Sequence, residues 1–302
     1  MDYYGERLSF RIGPEDDPQI TTSDFCLHHS VSPLDCNRIL RKAEGTLSQL
    51  CKDHFDVHQF TESDEMEYLV ADSPCPLIFM DLGSHRGADI LGILPQPSYE
   101  NASLLSIWFE KNIWDAKKYK PSDLCIYGFE GNPKFENELM QLERKLENEV
   151  QSIKIFKNTV VGAKNGQEIF FLDSSRQSQV GSSMRMEHSD VFMSDTVLGH
   201  ESTAIQVNSI RLAEFLQKGT TEAEVVVIKM DIEGAEYPIL VDFLKSGFAC
   251  DPTRKSSIIL LLELHPYVGE YFLKQHPPNF IESVLHILEM CQVKIFREGE
   301  TD

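Results

Sequence analysis

From residue 76 onward the chain alternates short apolar runs with longer stretches in which apolar residues recur near a 3.6-residue period. Parallel sheets with crossover helices leave this alternation in a sequence. The runs fall at residues 77–82, 124–129, 153–161, 225–230 and 258–264, and each reads as a buried strand. Helical patterns lie between them: one starts near Arg86 and fades at Pro95, one covers 135–150, and one runs from Glu236 to about Leu244, where Gly247 closes it. The third run is expected to turn through Gly162-Ala163-Lys164-Asn165-Gly166 and return as a hairpin over 169–172. The predicted fold is α/β, a mostly parallel doubly wound sheet with helices on both faces.

Three stretches fall outside this rhythm. Residues 1–70 hold fourteen acids against six bases and one amphipathic helical pattern, in which Ile39, Leu40, Ala43, Leu47, Leu50 and Cys51 recur after Ser32-Pro33-Leu34-Asp35. They are expected to form an acidic accessory segment, with residues 71–302 as the main domain. Residues 96–121 carry both tryptophans, Trp108 and Trp114, in an aromatic-rich insertion that would wall an apolar or sugar-stacking pocket. Residues 174–203 lack apolar periodicity and read as a long functional loop, with His188 beside Met184 and Met186.

Charge then narrows the function. With 28 basic and 48 acidic residues the net charge is −20, a field that repels phosphate backbones, so nucleic acid is not an expected partner. The longest apolar run, residues 258–262, is far short of the roughly 20 residues that span a bilayer. The seven cysteines show no Cys-x-x-Cys and no recurring spacing, so neither a disulfide framework nor a zinc ribbon is expected. Together with an N-terminus that lacks a basic patch followed by an apolar run, this makes the cytoplasm the default compartment. Oligomeric state is not written in the sequence.

The chemistry-bearing residues cluster at predicted strand ends. Asp81-Leu82-Gly83-Ser84-His85-Arg86-Gly87 hands a strand to a helix, where glycines admit a ligand to the backbone. An acid just before the first glycine suits a cationic group better than a pyrophosphate, and the spacing is not the G-x-G-x-x-G of dinucleotide sites. Glu130 ends the second strand, where an acid accepts hydrogen bonds from a ribose diol. The strongest signal is Lys229-Met230-Asp231-Ile232-Glu233-Gly234-Ala235-Glu236, in which a buried strand runs into three acids spaced around a glycine.

That string resembles the hallmark K-[IVM]-D-[IV]-E-G-A-E of FkbM-type methyltransferases, which are S-adenosylmethionine-dependent enzymes of the Rossmann-like class I methyltransferase fold. Other segments fall in the family's order. Residues Asp81 to Gly87 resemble its D-[VL]-G-A-x-x-G cofactor loop, and Phe129-Glu130-Gly131-Asn132-Pro133 resembles its F-E-P-N-P. Residues 160–166 are similar to its third-strand turn, Gly181-Ser182-Ser183 to a Ser-rich loop, and 209–216 to a helix start. The likeness covers residues 76–265, with Ser84-His85-Arg86 and Gly131 departing from the usual pattern. It implies S-adenosylmethionine as cofactor, held by Asp81, Gly83, Ser84, Gly87, Glu130, Asn132 and Asp231. It also implies O-methylation of a hydroxyl on a small molecule or glycan.

A hydroxyl acceptor needs a base or a metal near the fourth and fifth strand ends. His265, whose unperturbed pKa lies nearest working pH, is the first candidate for that base, with Asp231 and Glu263 as its catalytic partners. Asp231, Glu233 and Glu263 offer hard oxygen ligands, but carboxylates at strand ends are common without metal, and no metal site is assigned. Two further readings are a nucleotide-dependent oxidoreductase on the same sheet and a non-catalytic binding protein that keeps the fold.

Overall fold

The computed structural model describes residues 75–95, 103–116, 118–173, 179, 181–184, 203–220, 222–266 and 272–297, with two short strands near the N-terminus. The chain divides into two compact units, Met1–Met66 and Glu67–Asp302. In the first, Asp2–Tyr3 pairs antiparallel with Glu6–Arg7. The helix expected after Ser32 and the acidic stretch from Glu62 lie outside the described residues.

Among the described residues the second unit carries nine strands: β1 (Leu77–Leu82), β2 (Leu124–Glu130), β3 (Ser152–Lys157), β4 (Thr159–Gly162), β5 (Gly166–Leu172), β6 (Thr203–Arg211), β7 (Val225–Met230), β8 (Ser257–Leu262) and β9 (Lys294–Arg297). Its helices are α1 (Ala88–Gly92), α2 (Leu104–Phe109), α3 (Glu136–Leu146), α4 (Leu212–Gly219), α5 (Glu236–Lys245) and α6 (Phe280–Met290). Six strands form one all-parallel sheet in the order β9-β8-β7-β1-β2-β3. This is the doubly wound order 3-2-1-4-5-6, in which the chain reverses its direction of winding between β1 and β7.

Sequence explains the central strands directly. Every residue of β1 and of β2 is buried, because a parallel strand covered by helices on both faces has no polar side to present. One face packs Leu77, Phe79, Leu124, Ile126 and Val227 against Ile90 and Ile93 around α1, Phe109 of α2, and Leu139 and Leu142 of α3. On the other face the rings of Tyr127 and Phe129 meet Phe215 of α4 edge-on. Each such buried side chain contributes about 1.5–3 kcal/mol against its exposed state. Ser103 caps α2 by accepting the Ser106 N–H, and Gly247, at φ 73°, closes α5 as expected.

Two expectations fail. The run over 153–161 is not one strand: Asn158, at φ 51°, breaks it, so that β3 ends the main sheet while β4 begins a second one. Nor do β4 and β5 form a hairpin. β6 inserts between them in the order β4-β6-β5, parallel to β4 and antiparallel to β5. A turn fixes chain reversal, but which strand fills the gap is decided by longer-range pairing.

The cysteines require a correction as well. Cys75 bonds Cys125, and Cys250 bonds Cys291, at sequence separations of 50 and 41. Separations this long leave no local spacing to read. Cys75, two residues before β1, reaches Cys125 in β2 only because the two strands are neighbours. With two bridges in the fold, the cysteines no longer argue for a reducing compartment. Cys26, Cys36 and Cys51 lie outside the described residues. Among the described residues no helix is long and apolar enough to cross a membrane.

Candidate active site

Ligands of open α/β sheets bind outside the carboxyl ends of the strands where the winding reverses, here the tips of β1 and β7. The two tips are pressed together. The Asp231 N–H donates to the Leu82 carbonyl (3.3 Å), and a Cβ on Gly83, which sits at φ 89°, would lie 2.1 Å from the Asp231 carbonyl oxygen. Only glycine satisfies both the backbone angle and the approach. Gly87 serves packing: a Cβ there would meet Leu142 of α3 at 2.2 Å.

On the β2 side of this crevice a small cavity of about 90 Å³ is lined by Gly83, Glu130, Phe135, Val160, Asp231 and Glu233, among others. Gln179, Ser182 and Met184 also line it. Glu130, almost fully buried, accepts the His85 N–H at Oε2 and the Asn132 N–H at Oε1, both at 2.6 Å. Burial lifts its carboxyl to about 7, although both backbone N–H groups pull it down. Ser84 and Asn132, expected to touch cofactor, are engaged with the protein. The Ser84 hydroxyl donates to the Asp81 carbonyl and accepts the Phe129 N–H. Asn132 Oδ1 accepts the Lys134 N–H, and its Nδ2 donates to Gln179 and Ser182. Gly131 lies tight against the second sheet, since a Cβ there would meet Val160 at 2.7 Å and Phe170 at 3.1 Å.

On the β7 side charge meets charge. Lys229 Nζ lies 2.9 Å from Asp89 Oδ2, 3.0 Å from Asp231 Oδ2 and 3.8 Å from Asp81 Oδ1. Burial alone would depress the lysine, but Asp81, Asp231 and Asp89 outweigh it and hold the ammonium firmly protonated. Asp81, fully buried, has no hydrogen bond to either carboxylate oxygen among the described residues, and burial raises it to about 6. It faces the chain's own ammonium, and neither cavity described here has it on its wall.

His265 stands among four carboxylates. Its Nδ1 is 2.9 Å from Glu236 Oε1, and its Nε2 is 3.5 Å from Glu233, 3.7 Å from Glu263 and 3.8 Å from Asp231. Burial would lower its pKa, but the Glu236 hydrogen bond and the charges of Glu236, Glu233 and Asp231 raise it to about 9. The ring therefore carries a proton near neutral pH, the reverse of the state that a general base needs. Glu236, in the first turn of α5, is fully buried, and its Oε1 also accepts from the Ile232 and Gly234 N–H groups.

A second cavity of about 330 Å³ opens beyond Asp231, lined by Asp89, Leu104, Trp108, Lys229, Glu263 and Phe296 among others. The aromatic insertion does wall a pocket. Trp108 packs edge-on against Phe296 at 5.3 Å, and its Nε1–H is buried without a hydrogen-bond partner among the described residues. Sequence reasoning gave no role to Lys229 or Asp89, although Lys229 stood inside the motif it singled out. Met186 and His188 lie outside the described residues.

The acids at the tips of β2 and β7 thus flank the winding switch, the place where doubly wound sheets generally take their ligands. The methyltransferase FkbM domain matches residues 85–294, well over half of the chain, and the chain belongs to that family of methyltransferases. No curated protein and no solved structure matches it.

Proposed function

We propose that the chain transfers a methyl group from S-adenosylmethionine to a hydroxyl of a small molecule or glycan. The observation that carries this reading is that the two strand-tip acids, Glu130 and Asp231, share one cavity at the switch point. The chemistry of that cavity suits a nucleoside: Glu130 offers carboxylate oxygens to a ribose diol, and Phe135, Val160, Val161 and Ile232 offer apolar walls to a base.

When bound, the sulfonium supplies an electrophilic methyl carbon. Transfer to an acceptor hydroxyl would exchange the carbon–sulfur bond for a carbon–oxygen bond, release neutral S-adenosylhomocysteine and require a base for the hydroxyl proton. Asp231 is the carboxylate that lines both the nucleoside cavity and the 330 Å³ cavity, and it takes that proton. Lys229 fixes its orientation from 3.0 Å. Trp108 and Phe296 present ring faces and edges to the acceptor.

Calorimetric titration with S-adenosylhomocysteine tests the cofactor half. Glu130→Ala should weaken binding by about 1–3 kcal/mol, the loss expected for hydrogen bonds to a charged group. An unchanged dissociation constant removes Glu130 from the site, and tighter binding of NAD than of S-adenosylhomocysteine refutes the cofactor. Asp231→Asn should lower turnover at saturating cofactor by roughly 10²–10⁴, beyond whatever it costs in cofactor affinity.

A further inference from the structure

We infer that Asp231, Glu233 and His265 bind a divalent cation of the magnesium or manganese type on the β7 side of the crevice. Each offers one ligand atom, and the three atoms lie within 4.8 Å of one another. His265 Nε2 is 3.5 Å from Glu233 Oε2 and 3.8 Å from Asp231 Oδ1, with Glu263 Oε1 at 3.7 Å as a fourth oxygen in reach. Hard cations of this kind hold ligands at roughly 2.0–2.2 Å. The groups therefore need to close by only about an ångström, which side-chain rotation supplies.

The independent observation comes from Glu236, outside the three. It is fully buried, and its carboxylate is turned onto the far side of the imidazole, with Oε1 2.9 Å from Nδ1. Its Oε2 is also buried and has no hydrogen-bond partner among the described residues. A carboxylate placed behind a histidine ring fixes the tautomer of a metal-ligating imidazole and raises its basicity. With Nδ1–H donated to Glu236, Nε2 points at the Asp231 and Glu233 carboxylates. A cation shared among Nε2, Asp231 and Glu233 would take the place of the proton that the ring otherwise carries between them.

One nitrogen with two or three carboxylate oxygens is a hard-to-borderline donor set, which favours manganese or magnesium over the softer metals that thiolates select. Three protein ligands also leave coordination positions open. If the methyltransferase reading holds, the ion, bound next to Asp231, would acidify an acceptor hydroxyl that reaches it from the larger cavity.

The test needs neither methyl donor nor acceptor. Mn²⁺ is titrated into the chelator-stripped full chain, and free Mn²⁺ is read by electron paramagnetic resonance. One saturable site per chain, displaced by Mg²⁺, is expected. Glu233→Gln and His265→Gln should each weaken it at least tenfold, with circular dichroism confirming the fold, and Glu236→Gln should weaken it by a smaller factor. Should one variant fail to fold, the other decides. No saturable binding in the unaltered chain, or equal affinity in the folded variants, overturns the site. Either result leaves the cofactor reading to stand or fall on Glu130→Ala.

Discussion

The two flanks of the β1/β7 crevice satisfy their buried acids in different ways. On the β2 flank the carboxylate of Glu130 rests on main-chain N–H groups, with Ser84 and Asn132 tying the same loops by neutral hydrogen bonds. On the β7 flank Asp81, Asp89 and Asp231 share one ammonium, and Asp231, Glu233, Glu236 and Glu263 surround one imidazole. Dipoles hold the first flank in shape, and charges hold the second. Damage to each should therefore differ in size and in its dependence on pH.

Lys229→Met is the harshest test, because it leaves three acids around a buried site with no cation. It should cost about 3–5 kcal/mol in urea unfolding at pH 7.5. The cost should shrink at pH 5, where Asp81 takes up a proton.

Titration of the unaltered chain comes next. Asp81 and Glu130 both have folded pKa values above their ordinary ones, at about 6 and about 7. The folded state thus binds more protons than the unfolded state, and stability falls as pH rises. The contribution is fully present below about pH 4 and is lost by about pH 7, a loss on the order of a few kcal/mol. Unfolding midpoints that rise across that window would refute the burial argument for both acids.

Replacing Cys75 and Cys125 together by Ser opens a bridge between residues 50 positions apart at the opposite end of β1 and β2 from the site. It should cost roughly 2–4 kcal/mol of stability while leaving S-adenosylhomocysteine affinity unchanged. The smallest effect belongs to the neutral flank: Ser84→Ala removes two hydrogen bonds and should cost about 1–2 kcal/mol with little pH dependence. A larger loss there than for Lys229→Met would abolish the distinction between the flanks.

Legibility in the sequence followed burial. β1, β2, β7 and β8 were readable because strands covered on both faces are written as continuous apolar runs, and α5 because Gly247 marks its end. β6 was missed although Ile205 and Val207 alternate with Gln206 and Asn208, because its first residue closed the stretch read as loop and its last three fell in the segment likened to a helix start. The site was legible as a set of strand-tip acids, and its electrostatics were not. Asp81 and Lys229 stand 148 positions apart in the chain and become partners only through the β1/β7 register that sets them side by side. His265 was assigned from its solution pKa, a property that Glu236, Glu233 and Asp231 overrule once the fold gathers them.

Asn158 joins the two sheets through a single left-handed peptide, and its carbonyl accepts the Asn208 N–H of β6. Glu130 belongs to the larger sheet, whereas Thr159, Val160 and Val161 belong to the smaller one, and all four face the same slot. The spacing of the two walls is therefore decided where one residue with a positive φ carries the chain out of the larger sheet and into the smaller one.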